Sequence, residues 1–429
     1  MRKLKVLIIS AVSVAIILVV CLTVVDVSSS LADRRNVRTF NDADLIPVRV
    51  EVAVESNAFW TLLKATNELY WPDRFRDRLD DLSSNTNWDS SLAADVLAKN
   101  RGSLSLFDQA MQQPYFLVPE PTNFADDYPY LGGWKAISHM ASIRTIALLR
   151  GNNEKEAIDS AFTVIKFGQR AENSGGPILH YLVGAGIKAI GLRCVRQMVA
   201  QTSLPETNLI QLIDVLNGFK ANREGLTNAL KVEYQMECNS VDNFAAGKFS
   251  TDDSATDQTV ISFTPKIVFN PTKTKMEFAQ ADRVLRDNIS KPFSEIPWSE
   301  LPAVKTNISV WQRLISGNAI GDILFAMMEP SLEAFASRAS RENVEVTATQ
   351  LLLALKIYKM RHGQLPESLS ELVPELFPEV PRDAFDGKPF RYLPYKKLIY
   401  SVGPDLKDSG GEIRRNYSDE YDLPFRIEF

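Results

Sequence analysis

Cysteine and histidine are scarce, with three of each in 429 residues. Cys21 falls inside an apolar run, which leaves Cys194 and Cys238. Their types alone set no pairing, and the expectation is two unpaired, buried thiols. His139, His180 and His362 belong to no His/Cys cluster with zinc spacing, so a zinc-finger type of site is excluded. The local signatures of several common chemistries are missing too. There is no Gly-x-Ser-x-Gly elbow, no P-loop, no His-Glu-x-x-His and no Rossmann glycine set. Positive charge is also short: the formal net charge is −5, and beyond Arg2, Lys3 and Lys5 acids outnumber bases by eight. A general nucleic-acid binder needs a basic footprint, so nucleic acid is not an expected partner.

What is present begins at the N-terminus. Residues 6–25 read VLIISAVSVAIILVVCLTVV, without a charge, after the basic MRKLK. A helix of ~20 apolar residues crosses a hydrocarbon layer of ~30 Å. The basic tail predicts a cytoplasmic N-terminus with the bulk of the chain outside, although Arg34, Arg35 and Arg38 follow the run. Small residues at Ser30–Ala32 suit signal cleavage, yet an apolar h-region runs only ~7–15 residues, so an uncleaved anchor over 1–28 is the reading. The expected location is the bacterial inner membrane, single-pass, with the C-terminal bulk periplasmic or otherwise extracytoplasmic.

From 40 to 328 the pattern predicts a helical domain, since 45% of the chain is hydrophobic and 24% charged, as in ordered globular proteins. Val52, Phe59, Leu62, Leu63, Thr66 and Leu69 fall near one helical stripe. FLVPEPTNFADDYPYLGG breaks it as a long loop. WKAISHMASIRTIALLRG is closed by Gly151, and the helix after it carries Ala157, Ala161, Ile165 and Gly168 on one side, a partly repeat-like helix pair. A third helix starts at Pro177. Its Lys188, Arg193 and Arg196 argue against a second membrane span, and Gly184, Gly186 and Gly191 suggest close packing. Ser203 is the expected N-cap of the next helix. His139 and His180 lie on these helices, where packed or surface roles outweigh ligation. A polar loop or insertion is expected near 239–275, with Asp252, Asp253 and Asp257 in it.

Residues 329–429 change character. A long helix closed by Gly363 leads to LPESLSELV, a turn on Asp386-Gly387, and a hairpin of FRYLP with KLIYSV across YKK. The glycine-rich acidic loop YSVGPDLKDSGGE follows. Leu355–Gly363, Leu365-Pro366, Asp383-x-Phe385-x-Gly387-x-Pro389-Phe390-x-Tyr392 and Tyr400-Ser401-x-Gly403-x-Asp405, in that order, resemble the globular domain of the type II secretion major pseudopilin. The resemblance covers about the last eighty residues. It implies a small α+β module, and a calcium ion in the final loop. Asp405 and Asp422 stand at the family's positions, and Asp408 and Asp419 are near them in sequence. Calcium takes 6–8 oxygens, and glycines let carbonyls turn inward. Leu406 stands where the family has glycine. MRKLKVLIISAVSVAII lacks the family's processed junction and its glutamate, so the ordinary route into a filament is not expected.

The fold class is therefore mainly α after a transmembrane helix, ending in a small pseudopilin-like module. The functional expectation is a membrane-anchored, non-catalytic scaffold or binding protein with a protein partner, associated with secretion. The alternative is a carboxylate-dependent hydrolase of the cell envelope, using pairs such as Asp383/Asp386 or Asp405/Asp408. Paired carboxylates serve as acid and base only where their environments separate their pKa values.

Overall fold

Polar side chains start several of the helices. Asn57 accepts from the Phe59 amide at the head of α1 (Ala58–Asn67), and Asp89 accepts from the Leu92 amide at the head of α3 (Ser90–Lys99). Between them lies α2 (Arg76–Ser84), and α4 (Arg101–Gln112) follows. Then come α5 (Tyr130–Arg150), α6 (Glu154–Glu172), α7 (Ile178–Gln201) and α8 (Glu206–Asn217). Asn222 caps α9 (Arg223–Ala245), and Asn270 caps α10 (Pro271–Asn288). The last helix, α11 (Ala319–His362), ends at Gly363, whose φ of 76° is the left-handed C-cap that glycine adopts without strain. This computed structural model describes residues 40–72, 76–122, 126–246, 269–302, 318–412 and 422–429. The apolar run 6–25, most of the 239–275 break and Asp419 lie outside them.

Several boundaries differ from the sequence reading. Tyr130, Leu131, Gly132 and Gly133 belong to α5, not to the preceding loop. Gly133 lets the helix approach α1, because a Cβ there would stand 2.7 Å from Thr66 Cβ. Ser203 does not cap α8; Pro205 takes that position, and the Ser203 hydroxyl reaches Glu154 instead. Helix α9 continues to Ala245 and α10 starts at Pro271, which trims the expected break at both ends. Helix α11 begins at Ala319 and runs through Pro330, a residue that the sequence reading placed at a helix start. The segment after Pro366 is a 3-10 turn (Leu369–Leu372) held by a Ser368/Glu371 capping box.

Two buried clusters share helices α6 and α7. One gathers apolar side chains of α1–α5 around Trp134, Phe107 and Phe59. The other joins α6–α11 to the C-terminal sheet, so that Phe385, Ile399, Phe425 and Ile427 pack in the same core as Tyr181 and Phe335. Helix α7 is the one described helix long and apolar enough to span a membrane, and most of its apolar stretch is buried against its neighbours. The small sheet runs β1 (Arg391–Leu393), β2 (Leu398–Ser401), β3 (Leu423–Arg426), antiparallel throughout. The hairpin turns through Pro394–Lys396, with Lys397 at φ 47°. The Arg196 guanidinium lies 5.2 Å from the Phe425 ring and Lys356 5.0 Å from the Phe429 ring, so α7 and α11 both hold the C-terminus.

Glycine explains how closely α6 and α7 cross. A Cβ on Gly168 would stand 2.5 Å from the Lys188 amide nitrogen and 2.6 Å from the Gly184 carbonyl. Gly184 and Gly191 meet α6 as tightly, at 2.7 and 2.6 Å, whereas Gly186, grouped with them by sequence, has only Arg338 Nη2 at 3.4 Å. Backbone atoms cannot swing aside as a side chain can. Gly168→Ala is therefore expected to cost about 2 kcal/mol or more, read as a lower Tm of the full chain. Gly186→Ala is the control and should leave Tm nearly unchanged.

Just beneath this crossing sits a buried ionic group. Lys188 Nζ contacts Glu172 at 2.6 Å and also Glu342, with the lysine side chain 0% and both carboxylates 1% exposed. The Tyr181 hydroxyl donates to Glu342 at 2.5 Å. Burial alone pushes the Lys188 ammonium down, but the carboxylates of Glu342 and Glu172 reverse this and hold it above its ordinary value. The Glu172 carboxyl is pushed well up by burial and by Glu342.

Candidate functional site

The acidic C-terminal loop is organised by its own hydrogen bonds. Asp422, 4% exposed, accepts from the Ser409 and Gly411 amides. Asp408 accepts from the Tyr400 hydroxyl at 2.9 Å and from the Gly410 amide at 3.1 Å. Asp405 accepts from the Lys407 amide, closing an Asx turn on the surface. Burial raises the Asp422 carboxyl, against the Gly411 and Ser409 amides, and Asp408 and Asp405 add to the rise. Asp408 and Asp422 thus spend oxygens on the protein's own donors. Among the described residues no group of three acidic, His or Cys side chains is spaced for a metal. The described part of the loop does not present a ready calcium cage.

The carboxylate pair Asp383/Asp386 is clamped by one guanidinium. Arg391 reaches Asp383 at 3.1 Å and Asp386 at 2.9 and 2.5 Å. Asp383, 0% exposed, also accepts from the Ser401 hydroxyl and from the Val402 and Phe385 amides, at 2.8, 2.9 and 3.0 Å. This carboxylate ties the Asp386-Gly387 turn to β2. Both oxygens are saturated, so it is a structural anchor and not a poised acid or base.

A cavity of about 980 Å³ lies between the 48–50 segment, the 114–117 segment and the start of α9. Two of the four cations that line it, Arg49 and Arg170, are engaged in structure. Arg170 donates to the carbonyls of Ala110, Met111, Gln113 and Tyr115, and Arg49 to those of Val118 and Gly175.

A second groove, of about 840 Å³, has a different character. One wall is α5, with Leu131, Gly132, Lys135 and His139; the other is α7, with Leu179, Leu182, Val183, Ile187, Ile190 and Arg193. Both helices start at one end, where Asp127, Tyr128, Glu233 and Met236 close the groove. The walls are mostly apolar along their length, with Lys135 part-way along α5, and polar at the two ends.

At the first end Glu233 accepts from the Ile178 amide at 3.0 Å and so caps the N-terminus of α7. Burial pushes its carboxyl up to about 7, against the pull of that amide. At the far end, the His139 Nδ1 lies 2.8 Å from the Ser83 hydroxyl oxygen. Ser83 donates to the Asp80 carbonyl, so it accepts from the imidazole N–H and fixes that tautomer, leaving Nε2 as the basic nitrogen. Burial, opposed by Asp80 and aided by Arg193 and Lys135, pushes His139 down to about 4, so the ring is neutral at neutral pH. Ser83 is 1% exposed and donates its hydroxyl hydrogen bond to a carbonyl and not to the imidazole, so this pair is not an activated nucleophile. Arg193 stands beside it. Its Nε and Nη2 are buried and have no hydrogen-bond acceptor. An unsatisfied buried guanidinium is costly, although the carboxylates of Glu345 and Asp80 act on Arg193 at longer range.

His180 is 0% exposed behind the α7 wall, bonded to the Tyr130 hydroxyl at 2.8 Å and ringed by Tyr128 and Trp134. Burial pushes it down to about 4 as well. Cys194 and Cys238 are free and buried. Sequence reasoning used Arg193 only as an argument against a membrane span and did not single out Glu233 or Lys135. The available signal was a charge recurring on otherwise apolar helix faces.

A further acidic group sits behind the groove. Glu237 on α9 and Asp282 on α10 are 3% and 1% exposed, and neither Asp282 oxygen nor Glu237 Oε2 has a partner. Arg283 and Arg286 on the same helix are committed to Asp44. Burial pushes both carboxyls well up, with Asp282 and Glu233 adding for Glu237, and Glu233 for Asp282. A raised folded pKa gives stability that is present below the unfolded value and lost as pH rises. The expected result is that wild-type stability falls as pH rises above the ordinary carboxyl range of about 4. Asp282→Asn should flatten that slope and stabilise the chain by ~2 kcal/mol or more at pH 8, in urea melts across pH.

No protein-family model matches the chain, no curated protein matches it, and no solved structure matches it. Its fold and site define a mainly helical protein with a three-stranded antiparallel sheet and an open groove, mostly apolar along its walls and charged at both ends.

Proposed function

We propose that this chain is a membrane-anchored, extracytoplasmic binding protein whose ligand site is the α5–α7 groove. The observation that carries the reading is the groove itself: about 840 Å³, mostly apolar walls, and a few polar groups gathered at its ends. The apolar run 6–25 supplies the anchor in this reading, and the resemblance of the C-terminal sequence to the pseudopilin globular domain is what supports an association with secretion. The test is a blocking substitution. A Cβ at Gly132 meets nothing within 4 Å, so Gly132→Trp puts an indole into the groove without disturbing the core. Saturation-transfer NMR of the full chain in nanodiscs, with short apolar peptides and alkyl carboxylates, should show binding to wild type and its loss in Gly132→Trp at unchanged Tm. Equal signals from the two proteins would remove the proposal.

The resemblance also carries a calcium proposal for Asp405, Asp408, Asp419 and Asp422. Binding there requires Asp408 and Asp422 to exchange their present donors for the ion. A rise in Tm with calcium supports it, and an unmoved Tm at millimolar calcium removes it.

A further inference from the structure

We infer that the groove takes a short apolar peptide with both termini free, its carboxylate at Arg193 and its ammonium at Glu233. The inference rests on the reading of the groove as a ligand site and specifies what fills it.

The polarity of the groove is the first argument. Glu233 is fixed at the N-terminus of α7 by the Ile178 amide, and Asp127 lines the same end. Arg193 lies fifteen residues further along the same helix, with His139 across from it on α5 and Lys135 one turn nearer the acidic end. The charges are therefore sorted along the groove, acidic at one end and basic at the other. An alkyl carboxylate would satisfy Arg193 but lay its apolar tail end against carboxylates, whereas a peptide brings an ammonium there.

Length is the second argument. At 1.5 Å per residue, the α7 wall from Leu179 to Arg193 is about 20 Å long. An extended chain advances ~3.3 Å per residue, so the groove matches a peptide of about four to six residues. The apolar wall residues between the charged ends are Leu131, Leu182, Val183, Ile187 and Ile190, which suit small or branched apolar side chains.

The third argument is the unsatisfied fork of Arg193. Its Nε and Nη2 are the pair that grips a carboxylate side-on, and they are buried without an acceptor. The neutral His139, its Nδ1–H held by Ser83, adds no competing positive charge.

The experiment is calorimetry of the full chain in nanodiscs with a leucine–alanine pentapeptide, its C-terminal amide, its N-acetyl form, and decanoate. The free peptide should bind wild type, and amidation and acetylation should each weaken binding about tenfold, the worth of one charge-assisted contact. Arg193→Gln should lose the discrimination between acid and amide while keeping that between free and acetylated amine. Equal binding of the acid and the amide to wild type overturns the inference. So does binding of decanoate without the peptide, which makes the ligand a lipid-like carboxylate and leaves the groove as the site. If no probe binds and Gly132→Trp changes nothing, the reading of the groove itself fails.

Discussion

Lys188→Met is expected to lower the stability of the full chain by about 3–5 kcal/mol, because two buried carboxylates then lose their shared counter-charge. Glu172 sits on α6, Lys188 on α7 and Glu342 on α11, so the substitution acts where three helices are held together. Methionine fills nearly the same volume, and the loss is therefore electrostatic, not a cavity effect. Adding Glu172→Gln and Glu342→Gln to Lys188→Met should recover most of the loss, since the buried charge is then gone. Urea melts of the three proteins, wild type, single and triple variant, read this directly. If the single variant is as stable as wild type, the ionic group is not what holds α11 against α6 and α7. A triple variant no better than the single one would point instead to lost packing.

The second large effect is expected at Asp383. Asp383→Ala leaves the Val402 and Phe385 amides and the Ser401 hydroxyl without their acceptor inside the C-terminal module, and takes one of its carboxylates from Arg391, which keeps Asp386. A loss of about 3–5 kcal/mol is expected, and Asp383→Asn, which keeps one acceptor oxygen, should lose roughly half of that. The readout is a melt together with near-ultraviolet circular dichroism of the tyrosines around β2. Because β2 and β3 share a core with α11, the transition should remain single. A separate early transition in Asp383→Ala would mean that the module unfolds apart from the helices.

Much of the fold was legible in local signals. Gly151 and Gly363 end α5 and α11, the Asp386-Gly387 turn and the β1–β2 hairpin stand where the sequence places them, and Gly168, Gly184 and Gly191 mark the α6–α7 crossing. These are short-range facts: a φ angle, a cap, a missing Cβ. The start of α11 was hidden because Pro330 reads as a breaker, although the helix runs through it.

The candidate site was much less legible, since its members meet only through the fold. Ser83 and His139 are 56 residues apart, and Lys188 and Glu342 are 154 apart. No spacing rule joins such pairs. What the sequence does show is Lys188, Arg193 and Arg196 on a largely apolar helix, and Glu233 and Glu237 four apart on α9. Each was a charge that the surrounding pattern did not call for. The acidic loop, by contrast, attracted attention by its composition, and its described aspartates turn out to cap turns and anchor β3.

The most direct test of the groove as the working site is hydrogen–deuterium exchange of the full chain, with and without the leucine–alanine pentapeptide. Protection is expected in the segments holding Leu131–His139 and Leu179–Arg193 and around Glu233, with the C-terminal module unchanged. Protection confined to the module, or to the 980 Å³ cavity beside Arg49 and Arg170, would contradict the account.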